Sequence, residues 1–196
     1  MIYWKQLKSL LFHKWHVLKI GLKIGGIPPW RLIVHDWSKF SLTEFVNYSR
    51  YKYGIKDKSE WATAWLHHLH RNPHHPEYWL LSWRGDPDFY NGLGQARSPF
   101  VTTLPMPETY VREMIADFMA TSKELTGSYD IAVWLTRNGP LMLLHEETEV
   151  RFDSVMIELG YIQCRRSHLA RPPLNPGGGP SAACELTKEY GNDGSK

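Results

Sequence analysis

Ten histidines stand in a chain of 196 residues, and five of them fall between His67 and His75. His13 and His16 are three apart, so on a helix they lie about 60° from each other and both can face one groove. His35 and Asp36 are adjacent, and His68 is flanked by His67 and His70. His74 and His75 follow, then Glu77, while Glu113 and Asp117 are spaced to stack on one helical face. Imidazoles and carboxylates together suit Mn, Fe, Co, Ni or Zn. Ligands contributed by several helices and converging on a bundle core are how helical proteins build such centres. The two cysteines, Cys164 and Cys184, lie outside this pattern, which argues against a thiolate-rich structural zinc site.

The elements that must position these groups read as helices. Leu7, Leu10, Leu11, Val17, Leu18, Ile20 and Leu22 recur at helical spacing with lysines between them, until Gly25-Gly26 and Pro28-Pro29 end the run. Pro29 suits the first turn of a second helix leading to His35-Asp36. Ser41 and Glu44 read as a capping box for a third helix, 41 to about 51. A fourth, 59–71, carries Trp61, Trp65, Leu66 and Leu69 and is broken by the prolines around His74-His75. Residues 85–107 read as a long loop. Pro107-Glu108 opens a strong helix to about residue 125, and shorter helices at 129–136 and 146–159 finish the domain. No strand alternation competes with these assignments, so the fold class is all-α. Trp15, Trp61 and Trp65 read as core residues, and Glu113 as an exposed helix carboxylate, the alternative being one that orients a ligand histidine. His145 reads as a structural N-cap.

With 23 basic against 20 acidic residues the net charge is +3, too mild to point to nucleic acid. A hydrophobic share of 42% supports one domain with a real core. The apolar stretches are too short to span a bilayer, so no membrane partner is expected. Lys5, Lys8, His13 and Lys14 interrupt any signal-peptide core, and the cysteine usage suits a reducing compartment, hence a cytoplasmic location. The composition places the helical domain at 1–163 and a disordered, Pro/Gly-rich tail at 164–196.

The ordered set HKWHV (13–17), HDWSKF (35–40), NPHHPEYW (72–79) and MPETYVREMIADF (106–118) resembles the HD-domain superfamily of metal-dependent phosphohydrolases. Within it, the set looks like an HD-like family of bacteria and their phages. The resemblance covers roughly residues 10–160. HDWSKF looks like the HD-x-G-K motif of cyclic-dinucleotide phosphodiesterases with Ser38 in place of glycine, and the glycine-rich and Tyr-Pro elements of those enzymes are missing. The resemblance implies an HD-like helical bundle holding one or two divalent transition metals through His13, with His16 as its alternate, His35, Asp36, His68, His75 and Asp117. His68 and one or both of His74 and His75 match the extra histidines of dinuclear members, and Asp36 would bridge two metals. Lys39 matches the lysine that neutralises phosphate charge, His74 or Glu77 would protonate a leaving oxygen, and Trp37, Arg71, Asn72 and Tyr78 would contact substrate. The implied activity is hydrolysis of a small phosphate mono- or diester, a nucleotide among them, by a chain compatible with a homodimer. The alternatives are a mixed-valent diiron oxygenase and a catalytically silent nucleotide-binding module.

Overall fold

The computed structural model describes residues 1–82, 95–98 and 101–161; the expected tail lies outside the described residues, as does much of the expected loop. Helix α1 (Ile2–Ile24) ends at Gly25, whose φ of 73° is the left-handed conformation that glycine adopts without strain. Helix α2 (Pro29–Val34) leads into a 3₁₀ turn, Trp37–Phe40. Helix α3 (Leu42–Tyr53) is capped by Ser41, whose hydroxyl accepts from the Glu44 amide at 3.3 Å. The other half of the expected capping box is not made, because the Glu44 side chain turns inward to His67 and His68. Helix α4 (Lys58–Leu69) starts on Asp57, which accepts from the Ser59 and Glu60 amides.

After the 3₁₀ turn Pro76–Trp79 come β1 (Leu80–Ser82), β2 (Gln95–Ser98) and β3 (Val101–Thr103). They form a small antiparallel sheet in the order β1-β3-β2. The sequence predicts no strand here, since segments of three or four residues are too short for an alternation pattern to register. Helix α5 (Glu108–Thr126) follows, closed by Gly127 in the left-handed conformation. Helices α6 (Ala132–Asn138) and α7 (Glu146–Glu158) complete the bundle, the latter capped by His145, whose Nδ1 accepts from the Glu147 amide. Among the described residues the fold is all-α apart from the sheet.

Helix α5 is the central pillar. Val111, Met114, Ile115, Phe118 and Met119 are buried, and so are Glu113, Ala116 and Asp117 on its other sides. A helix buried nearly all round must be enclosed by several partners. These are α1, through Val17 and Ile20, and α7, through Phe152, Val155 and Met156. At Gly21 the α1 and α2 helices approach so closely that an added Cβ would stand 2.4 Å from Leu32. The tryptophans divide: Trp15, expected in the core, is 61% exposed, whereas Trp61 and Trp65 are half-buried. Replacing Ile115 with alanine should cost about 2–5 kcal/mol, the range for a buried Ile truncation. Leu125→Ala, at an exposed position of the same helix, should change stability by no more than about 0.5 kcal/mol. Chemical denaturation of both variants checks this contrast.

Candidate metal centre

Three helices and two interhelical breaks aim polar side chains at one buried point. Helix α1 supplies His13, α4 supplies His68, and α5 supplies Glu113 and Asp117. His35 and Asp36 occupy the break between α2 and the following 3₁₀ turn. Asp36 holds φ at 54°, the one positive φ outside glycine among the described residues. This conformation costs free energy for a residue with a Cβ, so the surrounding contacts must hold it. The break after α4 brings in His74 and His75.

Two sets of four donors emerge, each with its atoms within 4.8 Å of one another: His13, His35, Asp36 and Asp117, and Asp36, His68, His74 and His75. Asp36 is common to both, and its two oxygens face different ways. Oδ2 lies 3.4 Å from His35 Nε2 and 3.8 Å from His13 Nε2, while Oδ1 lies 3.4 Å from both His68 Nε2 and His74 Nε2. His13 Nε2, His35 Nε2, His74 Nε2 and Asp36 Oδ1 are buried without a hydrogen-bond partner. His13 Nε2 is 2.9 Å from Asp117 Oδ1 but lacks hydrogen-bond orientation. Buried polar atoms without partners are rare in folded proteins, and four converging on one point fit a cation. These groups can hold a metal ion.

The rear of the cluster explains which way each imidazole points. Glu113 lies 3.1 Å from His35 Nδ1 and 3.4 Å from His74 Nδ1, and it accepts from Arg31 Nε and Nη2 at 2.9 and 2.7 Å. Glu44 accepts from His68 Nδ1 at 2.9 Å and from His67 Nδ1 at 2.6 Å. Glu124 lies 3.1 Å from His13 Nδ1. A carboxylate only accepts, so the Nδ1 atoms of His35 and His68 carry a proton and the Nε2 atom of each is turned toward Asp36. A third donor set, His35, His74 and Glu113, is therefore better read as this orienting contact. Glu44 and Glu124 carry no signal in the sequence that marks them as site residues, and Glu113, whose commoner reading is an exposed carboxylate, is fully buried in the orienting role. The i, i+4 spacing of Glu113 and Asp117 was the one available signal.

The electrostatics keep the carboxylates ionised and divide the histidines: against the effect of burial, Asp36 and Glu113 raise both His35 and His74. Burial opposes ionisation of Asp36, but His35, Lys39 and His68 outweigh it and hold the carboxyl far below its usual range. Burial likewise opposes ionisation of Asp117 and Glu113, and their histidine neighbours keep both ionised. His75 is pushed well down by burial and by His74, and His68 is lowered by burial. Both are neutral, the form that ligates a metal. Burial also works against a charge on His13, yet Asp117 and Glu124 overcome it and raise the group to about 9. Lys39 Nζ donates to Asp36 Oδ2 at 2.5 Å, a charge-assisted contact.

The family of unknown function DUF5662 matches residues 3–156, a span that contains every residue of this cluster. The chain belongs to that family. No curated protein and no solved structure matches it.

A cavity of about 680 Å³ opens beside the cluster, with His13, His75, Asp117 and Lys39 on its inner surface. Glu77 also lines it, whereas Trp37, Arg71, Asn72 and Tyr78 do not. Asn72 is buried and donates to the Ser38 hydroxyl and the His68 carbonyl, both at 2.8 Å. Arg71 is exposed and caps the His67 carbonyl. Trp37 and Tyr78 point to solvent, because neighbours in sequence on a tight turn face different ways. His16 bonds to the Tyr129 hydroxyl, outside the cluster, and His70 is exposed. His74, expected as a proton donor, sits instead among the donors of the second set. The aromatic wall comes from Tyr51, Trp61 and Trp65, of which the two tryptophans stack at 5.8 Å and 12°.

Asp36→Ala should abolish binding at both sets, whereas His75→Ala should leave one metal per chain; plasma mass spectrometry after dialysis against Mn or Fe reads the stoichiometry. Glu113→Gln should retain the donor set and weaken metal affinity about ten- to a hundredfold, as loss of an orienting partner does. Unchanged affinity would show that Glu113 does not orient His35 and His74.

Proposed function

We infer that the protein is a metal-dependent phosphohydrolase of the HD type, acting on a small phosphate ester such as a nucleotide. The observation that carries this reading is the pair of four-donor sets sharing Asp36. His13, His35, Asp36 and Asp117 would hold one divalent ion, and Asp36, His68, His74 and His75 a second. When bound, such a pair supplies Lewis acidity to a phosphoryl oxygen and lowers the pKa of a water toward neutrality.

The chain's own residues account for the rest. Lys39 stays protonated against Asp36 and faces the cavity, where its ammonium group balances charge growing on non-bridging oxygens. Glu77, on the cavity wall, would pass a proton to a leaving oxygen. Tyr51, Trp61 and Trp65 offer flat apolar surface to the organic part of the substrate, and they exclude water from it. Gln6 Oε1 and the Tyr48 hydroxyl, both buried on the cavity wall without partners, supply hydrogen bonds to it. Burial keeps the Tyr48 phenol protonated, hence a donor.

Five imidazoles against two carboxylates make a nitrogen-rich donor set that also suits iron, which favours an HD-type diiron oxygenase as the second reading. One experiment separates the two. Protein loaded anaerobically with Mn or Co should release phosphate from a panel of nucleotides and aryl phosphates, and Lys39→Gln should lower kcat by about 10²–10³ at unchanged metal content. Oxygen uptake by the iron form, with no phosphate release by any metal form, would establish the oxygenase. Neither activity at full metal occupancy would leave a binding module.

A further inference from the structure

Helix α1 has two apolar faces, and the second one faces water. Its inner face carries Leu10, His13, Val17 and Ile20 into the bundle. Trp4, Leu11, Trp15 and Leu22 stand at i, i+7, i+11 and i+18, within about 40° of arc on the opposite side. Each of the four is more than half exposed. The stripe runs roughly 27 Å along the helix axis.

The neighbouring α2 segment widens the face. Trp30, Ile33, Val34 and Trp37 are all exposed, and Lys14 joins the two surfaces. Its ammonium donates to the Ile33 carbonyl at 3.0 Å and stands 5.8 Å from the Trp37 ring centroid. An apolar face of this extent marks a docking surface, since exposing it to water is unfavourable.

Charge decides what docks there. Residues 1–35 contain Lys5, Lys8, Lys14, Lys19, Lys23 and Arg31 and no acidic residue. The whole chain carries +3, so the remaining residues sum to −3 and the positive charge is concentrated beside this face. Lys5, Lys8, Lys19 and Lys23 are exposed along the flank of the stripe, with Lys8 5.3 Å from the Trp4 ring centroid. A second copy meeting this face symmetrically would set lysine against lysine with no acid to pair them. A nucleic acid would take up the cations and rings but leave Leu11, Leu22, Ile33 and Val34 in water. An anionic bilayer satisfies both halves: tryptophans and aliphatic side chains enter the headgroup boundary while lysines stay at its charged surface.

We propose that the outer face of α1 together with α2 is a membrane-surface contact selective for anionic lipid. No helix among the described residues is long and apolar enough to cross a membrane, so the contact lies along the surface. The expectation of no membrane partner rested on the lack of a spanning stretch, which such a contact does not need.

Cosedimentation of the full chain with phosphatidylcholine vesicles, with and without phosphatidylserine, tests this. The protein should pellet with the mixed vesicles, remain in solution with phosphatidylcholine alone, and dissociate as salt is raised. Lys5→Gln/Lys8→Gln/Lys19→Gln should weaken binding on the order of a hundredfold, at about fivefold per lysine. Trp4→Gln/Trp15→Gln should weaken it at least tenfold, with circular dichroism and metal content unchanged because both side chains are on the surface. Absence of binding to the mixed vesicles, or equal binding by the tryptophan variant, overturns the proposal. Concentration-dependent dimerisation removed by Trp4→Gln/Trp15→Gln, without vesicle binding, assigns the face to a second copy instead.

Discussion

The Asp36 carboxylate is almost wholly buried, with one oxygen turned toward His13 and His35 and the other toward His68 and His74. A buried charge is tolerated only when paired and hydrogen-bonded, because moving it out of water costs several kcal/mol. Lys39 offsets part of that cost, and the remaining Asp36 oxygen has no hydrogen-bond partner among the described residues. Much of the architecture follows from meeting this requirement. The backbone at Asp36 is bent into the left-handed region, and the elements carrying its neighbours must all arrive together.

Helix α5 is where the core and the cluster meet. Met114, Ile115 and Phe118 fix its rotation by packing, and that rotation aims Glu113 and Asp117 at the histidines. Because the two sets of side chains share one helix, stability of the core and geometry of the cluster are a single property. A ligand that binds only the folded cluster stabilises the fold in turn. The carboxylates behind the imidazoles matter for the same reason: Glu44 and Glu113 set which nitrogen of His68 and of His35 faces inward before anything binds. Helix α1 serves two purposes on opposite sides, with His13 at the cluster and its tryptophans at the solvent.

How far the sequence could be read follows from how local each signal is. Pro29, the Ser41 cap, the break at 72–76 and the apolar stripe of α5 are local, and the helices appear where these residues predict them. The three short strands left no periodic trace. Trp15 and Trp61 illustrate the limit: both sit at helical spacing among apolar residues, yet one points to solvent and the other lines the cavity. Periodicity describes a helix face, and the neighbouring elements decide whether that face is covered.

The sequence by itself determined the all-α class, the supply of imidazole and carboxylate donors, and their order along the helices. These are consequences of residue type and of spacing against a 3.6-residue turn. The tertiary structure alone decided that His13 rather than His16 meets Asp117, that His74 and His75 both face Asp36's group, and that Glu113 is buried behind two histidines. It also decided which aromatics border the cavity. Each of these depends on side chains separated by tens of residues meeting across a helix–helix contact. Spacing along one helix carries no information about which partner the packing of the bundle will bring opposite it.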